Sequence, residues 1–164
     1  INQEGMIVIS GIQVMRGYLK NEEKTKQVLK KIRGKTYYIT GDKGKIDEDG
    51  FLTIVDRYSR FAKIGGEMIS LGAVEDKISK ILDLKDDSQI DFIVTSVEDE
   101  KKGERIVLLI SNIDEESVLY LKSKFLDSFE NKLMIPSNIK IVKEIPKLGS
   151  GKKDFSFAKE LAKD

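Results

Sequence analysis

The chain has 164 residues, of which 40% are hydrophobic and 35% charged, with 29 Lys and Arg against 28 Asp and Glu for a formal net charge of +1. That length makes one domain, or a domain with a piece of another, and buries a core without staples; the charge balance excludes general nucleic-acid binding, so any anion site is local. Cysteine and histidine are both absent, which excludes thiol catalysis, disulfides, thiolate metal sites, zinc hydrolysis and Ser-His-Asp chemistry. No run of about 18 apolar residues and no signal-peptide pattern occurs, so nothing here is expected to span a membrane or be exported across one.

The chain opens at Ile1 and enters an apolar run, Met6 to Ser10, that reads as a buried strand ending before Gly11. We therefore read it as a piece of something longer. Asn21 to Ile32 is expected as a helix, with Asn21 as N-cap, Glu22 and Glu23 at the positive end, Lys30 and Lys31 at the negative end, and Gly34 as terminator. Thr36 to Thr40, Lys43 to Asp47 and Phe51 to Asp56 read as strands, the last two joined by a turn at Asp47-Glu48-Asp49-Gly50.

Beyond Arg57, Gly65-Gly66 between Phe61–Ile64 and Met68–Leu71 predicts a tight hairpin. A helix follows, from Leu71 or Ala73 to Leu82, with Val74, Ile78, Ile81 and Leu82 on one face. Ile90 to Val97 and Ile106 to Ser111 are expected strands around a charged turn. Glu115 to Phe129 is a helix capped by Asp114, Ile139 to Val142 a strand, and Phe155 to Ala162 a terminal helix. The mixture defines an α+β fold: a small β unit followed by a compact domain with a short sheet and packed helices.

Three residues draw attention as chemistry. Asp42, after Thr40-Gly41, is a carboxylate beside a glycine that lets a ligand approach, suited to a ribose diol; a simple turn is the competing reading. Arg57 offers a fixed fork of donors to ribose or phosphate oxygens, against a surface salt bridge with Asp56 or a neighbouring acid. Lys152, in Pro146-Lys147-Leu148-Gly149-Ser150-Gly151-Lys152, is a point charge on a glycine-flanked loop that could neutralise an attacked phosphate, against a flexible polar loop. It is not a Walker loop, because Lys153 stands where Ser or Thr is required.

Taken in order, Tyr38-Ile39-Thr40-Gly41-Asp42, Asp47 to Gly50, Asp56-Arg57, Lys63-Ile64-Gly65-Gly66-Glu67-Met68-Ile69, Glu75 and Pro146 to Lys152 resemble the motifs of the adenylate-forming superfamily, which includes acyl-CoA synthetases, luciferases and peptide-synthetase adenylation domains. Gly11 with Val14-Met15-Arg16-Gly17-Tyr18 is similar to a further family segment, so the resemblance covers essentially the whole chain. The run Arg60 to Leu71 looks most like the acyl-acyl-carrier-protein synthetase part of bifunctional 2-acylglycerophosphoethanolamine acyltransferases.

The resemblance implies an AMP-forming acid–thiol ligase in two half-reactions, with ATP and Mg2+, a fatty acid or other carboxylate, and acyl carrier protein or CoA as acceptor. It implies nucleotide binding by Asp42 and Arg57, catalysis by Lys152, a hinge at Ser59, and a thioester-step loop of Lys63, Gly65, Gly66 and Glu67. It implies no metal ligand in this chain. Ser59 stands where the family has Asp or Lys, and Leu148 where it has Thr. Residues 1–57 would be the end of the large domain and 58–164 the mobile C-terminal domain. The phosphate loop, acyl pocket and most Mg-ATP contacts would lie upstream of Ile1, leaving the fragment inactive alone. The fragment would be cytoplasmic, its parent attached to the inner membrane on the cytoplasmic side. A rival reading is a non-catalytic module whose Lys63, Lys77 and Lys80 dock an acidic carrier protein.

Overall fold

The computed structural model of the chain describes residues 2–83 and 89–163. The chain divides into two compact units, Ile1–Ser59 and Arg60–Asp164. Together their described residues form an α+β protein with two small sheets and four helices.

The first unit is an antiparallel sheet of β1 (Gly5–Ile9), β2 (Leu29–Ile32), β3 (Lys35–Ile46) and β4 (Leu52–Arg57), with helix α1 (Glu22–Val28) before β2. β3 pairs with each of the other three strands. Asn21 caps α1 by accepting from the Lys24 N–H at 3.0 Å. The helix is four residues shorter than its sequence suggests, ending at Val28 rather than Ile32. Leu29 to Ile32 instead pairs with β3, through a turn with φ of 49° at Arg33 and 79° at Gly34. Positive φ at both central residues matches the twist of a hairpin, so Gly34 closes a strand pair and not a helix. The two strands expected at 36–40 and 43–47 are one strand, because Gly41, at φ 79°, carries the backbone through and a bulge falls between Lys43 and Gly44.

β1 is a strand as expected but not a buried one: Met6, Val8 and Ile9 are 39%, 41% and 40% exposed. α1, sequence EEKTKQV, has no apolar face to lay over the sheet and buries none of its residues.

The second unit holds β5 (Phe61–Ile64), β6 (Glu67–Ser70), α2 (Leu71–Leu82), β7 (Asp91–Asp99), β8 (Gly103–Ser111), α3 (Glu115–Ser128), β9 (Asn138–Ile141) and α4 (Phe155–Ala162). The sheet runs β6-β5-β8-β7, with β9 parallel on β8. Side chains alternate across a strand, so β8 serves two cores. Ile106, Leu108 and Ile110 join Val74, Ile78, Leu121 and Phe125 on one face. Val107 and Leu109 join Ile145, Ala158 and Ala162 on the other. Coverage on both sides explains why β7 and β8 read as near-continuous apolar runs. The helix starts are fixed by side-chain caps: Ser70 accepts from the Ala73 N–H, Asp114 from Ser117, and Asp154 from Ser156 and Phe157.

Candidate functional site

In the first unit, Thr40 fixes the local path. Its hydroxyl donates to the Ile7 carbonyl at 2.9 Å and accepts from the Asp42 N–H at 3.0 Å. The antiparallel register then sets Asp42 opposite Arg57. Arg57 Nε donates to Asp42 Oδ1 at 2.7 Å, and Nη2 donates to the Thr40 carbonyl at 3.3 Å. The Asp56 carboxylate accepts from the Arg57 backbone N–H at 2.7 Å. Thus the two residues singled out for a nucleotide are brought together. The Arg57 side chain remains 60% exposed, and Asp42 Oδ2 has no partner among the described residues. A carboxylate oxygen free to accept beside a guanidinium free to donate can bind a cis-diol. Close by in sequence, the Tyr38 phenol is raised above its ordinary pKa by its hydrogen bond with Tyr18 and, less strongly, by burial.

In the second unit, Lys152 sits on a short hairpin closed by a bridge between Lys147 and Lys153. The Leu148 N–H donates to the Lys152 carbonyl and the Gly151 N–H to the Leu148 carbonyl, each at 2.8 Å. The Lys152 side chain is exposed and has no polar partner among the described residues. Its neighbours do: Lys147 Nζ lies 3.0 Å from Asp91 Oδ2, and Lys153 Nζ lies 3.4 Å from Asp91 Oδ1. Sequence reasoning passes over Asp91 and treats Lys153 only as a mismatch.

Gly65 and Gly66 form the turn between β5 and β6 with φ of 59° and 92°. Side chains would have space there, since nothing lies within 4 Å of an added Cβ, so the requirement is conformational. The Gly65 N–H donates to the Lys102 carbonyl at 2.8 Å, and the Lys63 N–H to Glu104 Oε2 at 2.7 Å. Glu67 accepts from Asn131 Nδ2 at 3.4 Å. Lys63 and Lys80 are exposed and Lys77 is half-buried.

Ser59 is exposed in a 3-10 turn, Tyr58–Arg60, and is the last residue of the first unit. The next residue, Arg60, has no role singled out by its sequence context. Its Nη2 lies 2.7 Å from Glu75 Oε2, and its guanidinium carbon lies 4.2 Å from the centre of the Phe155 ring. The approach to Glu75 is an ion pair more than an aligned hydrogen bond, which leaves Nε and Nη2 without a well-directed acceptor. Glu75 Oε1 in turn accepts from the Val94 N–H at 2.9 Å. Among the described residues no three acidic side chains gather as metal ligands.

In sequence and fold the chain is similar to parts of coenzyme A ligases. The chain is 33% identical over 164 residues to the peroxisomal trans-cinnamate:CoA ligase of Petunia hybrida, a match covering 97% of this chain and 26% of that enzyme. It is 34% identical over 151 residues to the 2-succinylbenzoate–CoA ligase of Geobacillus sp. (strain WCH70), covering 92% and 29%. The crystal structure of ATP-bound MatB from Rhodopseudomonas palustris superposes with a TM-score of 0.73 at 27% identity, over 99% of this chain and 31% of that one. The chain therefore spans between about a quarter and a third of the length of these relatives. No protein-family model matches it.

Proposed function

We propose that this chain is the C-terminal part of an AMP-forming acid–thiol ligase, with residues 1–57 closing its large domain and 58–164 forming its mobile C-terminal domain. The observation that carries this is the pairing of Asp42 with Arg57 at 2.7 Å on adjacent strands, with one carboxylate oxygen unpaired and an arginine side chain that stays 60% exposed. The similarity to CoA ligases over nearly the whole chain supports it.

In this reading Asp42 accepts from the ribose hydroxyls of ATP, and Arg57 holds Asp42 in place while donating to the same sugar. The substrate carboxylate attacks the α-phosphorus, the bond to the bridging oxygen breaks, and pyrophosphate leaves. Lys152 supplies a positive charge to the attacking carboxylate and the phosphate, an electrostatic contribution that falls where charge develops. A thiol sulfur then attacks the acyl carbon, the bond to AMP breaks, and the thiol proton is lost. Withdrawal of Lys152 and presentation of Lys63, Gly65, Gly66 and Glu67 would follow rotation about Ser59, the kind of closure that often limits turnover. Mg2+ accompanying ATP would take its ligands outside this chain, which alone would be inactive. The substrate class we favour is fatty acids, with acyl carrier protein or CoA as acceptor, in a parent related to 2-acylglycerophosphoethanolamine acyltransferase and attached to the inner membrane on its cytoplasmic side. No helix among the described residues is long and apolar enough to cross a membrane.

The test is ATP–pyrophosphate exchange by the full-length protein across a panel of carboxylic acids. Lys152→Ala is expected to lower exchange by about 100-fold or more while sparing thioester formation from supplied acyl-adenylate. Exchange that survives the substitution unchanged overturns the assignment.

A further inference from the structure

We propose that Asp91 is a positioning residue for Lys152. It does not reach the reacting atoms; it ties together the two stems of the turn on which Lys152 is presented. The proposal rests on the reading of Lys152 as the adenylation lysine.

Three features of the geometry converge. First, the Lys152 turn is narrow: Lys147 and Lys153 bridge at its base, and the Asp154 N–H reaches back to the Pro146 carbonyl at 2.8 Å. Second, one carboxylate takes both basal lysines, Lys147 through Oδ2 at 3.0 Å and Lys153 through Oδ1 at 3.4 Å. Third, that carboxylate is itself anchored. Asp91 opens β7, pairs with Ser111 of the central strand, and its Oδ1 accepts from the Phe92 N–H at 2.9 Å. Lys153 Nζ makes a further bond to the Phe92 carbonyl at 2.5 Å and sits 5.0 Å from the centre of the Phe92 ring. Phe92 is buried, so this end of the clamp is fixed to the core.

The consequence is that Lys147 and Lys153, flanking Lys152 in the turn, have their charges consumed inward, while Lys152 alone of the three is left without a polar partner among the described residues. A lysine on an unclamped turn of glycines would sample many positions. Here the stems are held by two ion pairs at about one-third exposure on the Asp91 side. Burial pushes the Asp91 carboxyl up, but the bond from Lys147 and the charge of Lys153 outweigh it and keep the group ionised below the usual aspartate range.

The experiment uses the full-length protein and three variants: Asp91→Asn, Asp91→Ala, and Lys147→Met with Lys153→Met, which removes the clamp from the other side if Asp91→Ala fails to fold. Two readouts are taken. Amide hydrogen exchange should quicken in the peptide spanning 147–153 and stay unchanged in β8. ATP–pyrophosphate exchange should fall by roughly 10- to 100-fold, as expected for misplacement of a catalytic group, with KM for ATP and thioester formation from supplied acyl-adenylate unchanged. Combining Asp91→Ala with Lys152→Ala should cost no more than Lys152→Ala alone. The proposal is overturned if exchange in 147–153 does not change, if both half-reactions fall equally, or if the two substitutions add. Should Lys152→Ala itself leave pyrophosphate exchange intact, the functional reading fails instead, and the amide exchange still decides whether Asp91 holds the turn.

Discussion

β8 of the second unit sends Ile106, Leu108 and Ile110 into one core and Val107 and Leu109 into another, all nearly inaccessible to solvent. No hydrophobic side chain among the described residues of the first unit is buried; Ile54 is 64% exposed, Leu52 52% and Ile46 50%. One unit is held by apolar burial, the main driving force of folding. The other is held within itself by strand ladders and by polar pairs such as Asp42–Arg57. Chemistry and stability are therefore separable in this chain: the paired candidates for nucleotide binding lie where burial is least, and the lone lysine lies on a turn tethered to a well-packed sheet.

Separating the units should have the greatest effect. Produced on their own, residues 60–164 should show a single cooperative urea transition by circular dichroism, and residues 1–59 none, since small sheets without a covered apolar face are marginal in water. A cooperative transition from 1–59 would undo this contrast.

Next come single substitutions in full-length protein. Phe125→Ala removes a ring that is 1% exposed and stacked edge-on to Phe129 at 5.7 Å, and should cost about 3–5 kcal/mol. Glu75→Ala strands Arg60 in a largely buried position and removes the acceptor of the Val94 N–H; about 3 kcal/mol is expected, the low end for a broken buried pair. Ile54→Ala, at 64% exposure within the first unit, should cost about 0.5 kcal/mol or less unless something outside this chain covers it. Urea denaturation measures all three, and a cost for Ile54→Ala equal to that for Phe125→Ala would contradict the assignment of burial to one unit.

How much of this is legible in the sequence depends on how local each signal is. The Gly65-Gly66 hairpin, the Asp114 cap and the apolar runs of β7 and β8 all lie in contiguous sequence, and the α+β reading drawn from them holds. The end of α1 is misread because Leu29-Lys30-Lys31-Ile32 fits a helical period as well as a strand, and only pairing with β3 decides between them. The Asp42–Arg57 contact is similarly open in the sequence: Arg57 reads as a donor to ribose or phosphate, or as one half of a salt bridge with Asp56 or a neighbouring acid, and only antiparallel register sets Asp42 opposite it. Asp91 carries no signal at all. Its lysine partners, Lys147 and Lys153, lie far along the chain, and nothing in either segment marks the meeting.

A smaller change in stability is expected at the site itself. Arg57→Ala removes an ion pair whose arginine is 60% exposed, so stability should change by no more than about 1 kcal/mol. Nucleotide affinity of the full-length protein, followed by equilibrium binding of ATP, should nevertheless fall clearly. A large loss of stability with intact ATP binding would make Arg57 a structural residue.

Finest of all is a difference in salt sensitivity between two carboxyls. Glu4 in the first unit, 42% exposed, is lowered by its hydrogen bond from Lys43 at 2.5 Å; Asp91 in the second, 30% exposed, is raised by burial and then lowered further by Lys147 and Lys153. Both folded values lie below the ordinary ones, so each group contributes stability above its unfolded pKa, near 4.5 for Glu4 and 3.8 for Asp91, and loses it as pH falls through the folded value. Raising ionic strength to about 1 M shortens the screening length to about 3 Å. The Glu4 shift rests on a bond from one lysine and weakens, whereas Asp91 is held by two lysines and by the Phe92 N–H and keeps more of its shift. Carboxyl carbon NMR titrations at low and high salt should therefore return Glu4 toward its ordinary value and leave Asp91 depressed. Equal collapse of the two would mean that the second lysine and the Phe92 N–H add nothing to the hold on Asp91, and that the tether on the Lys152 turn is correspondingly weak.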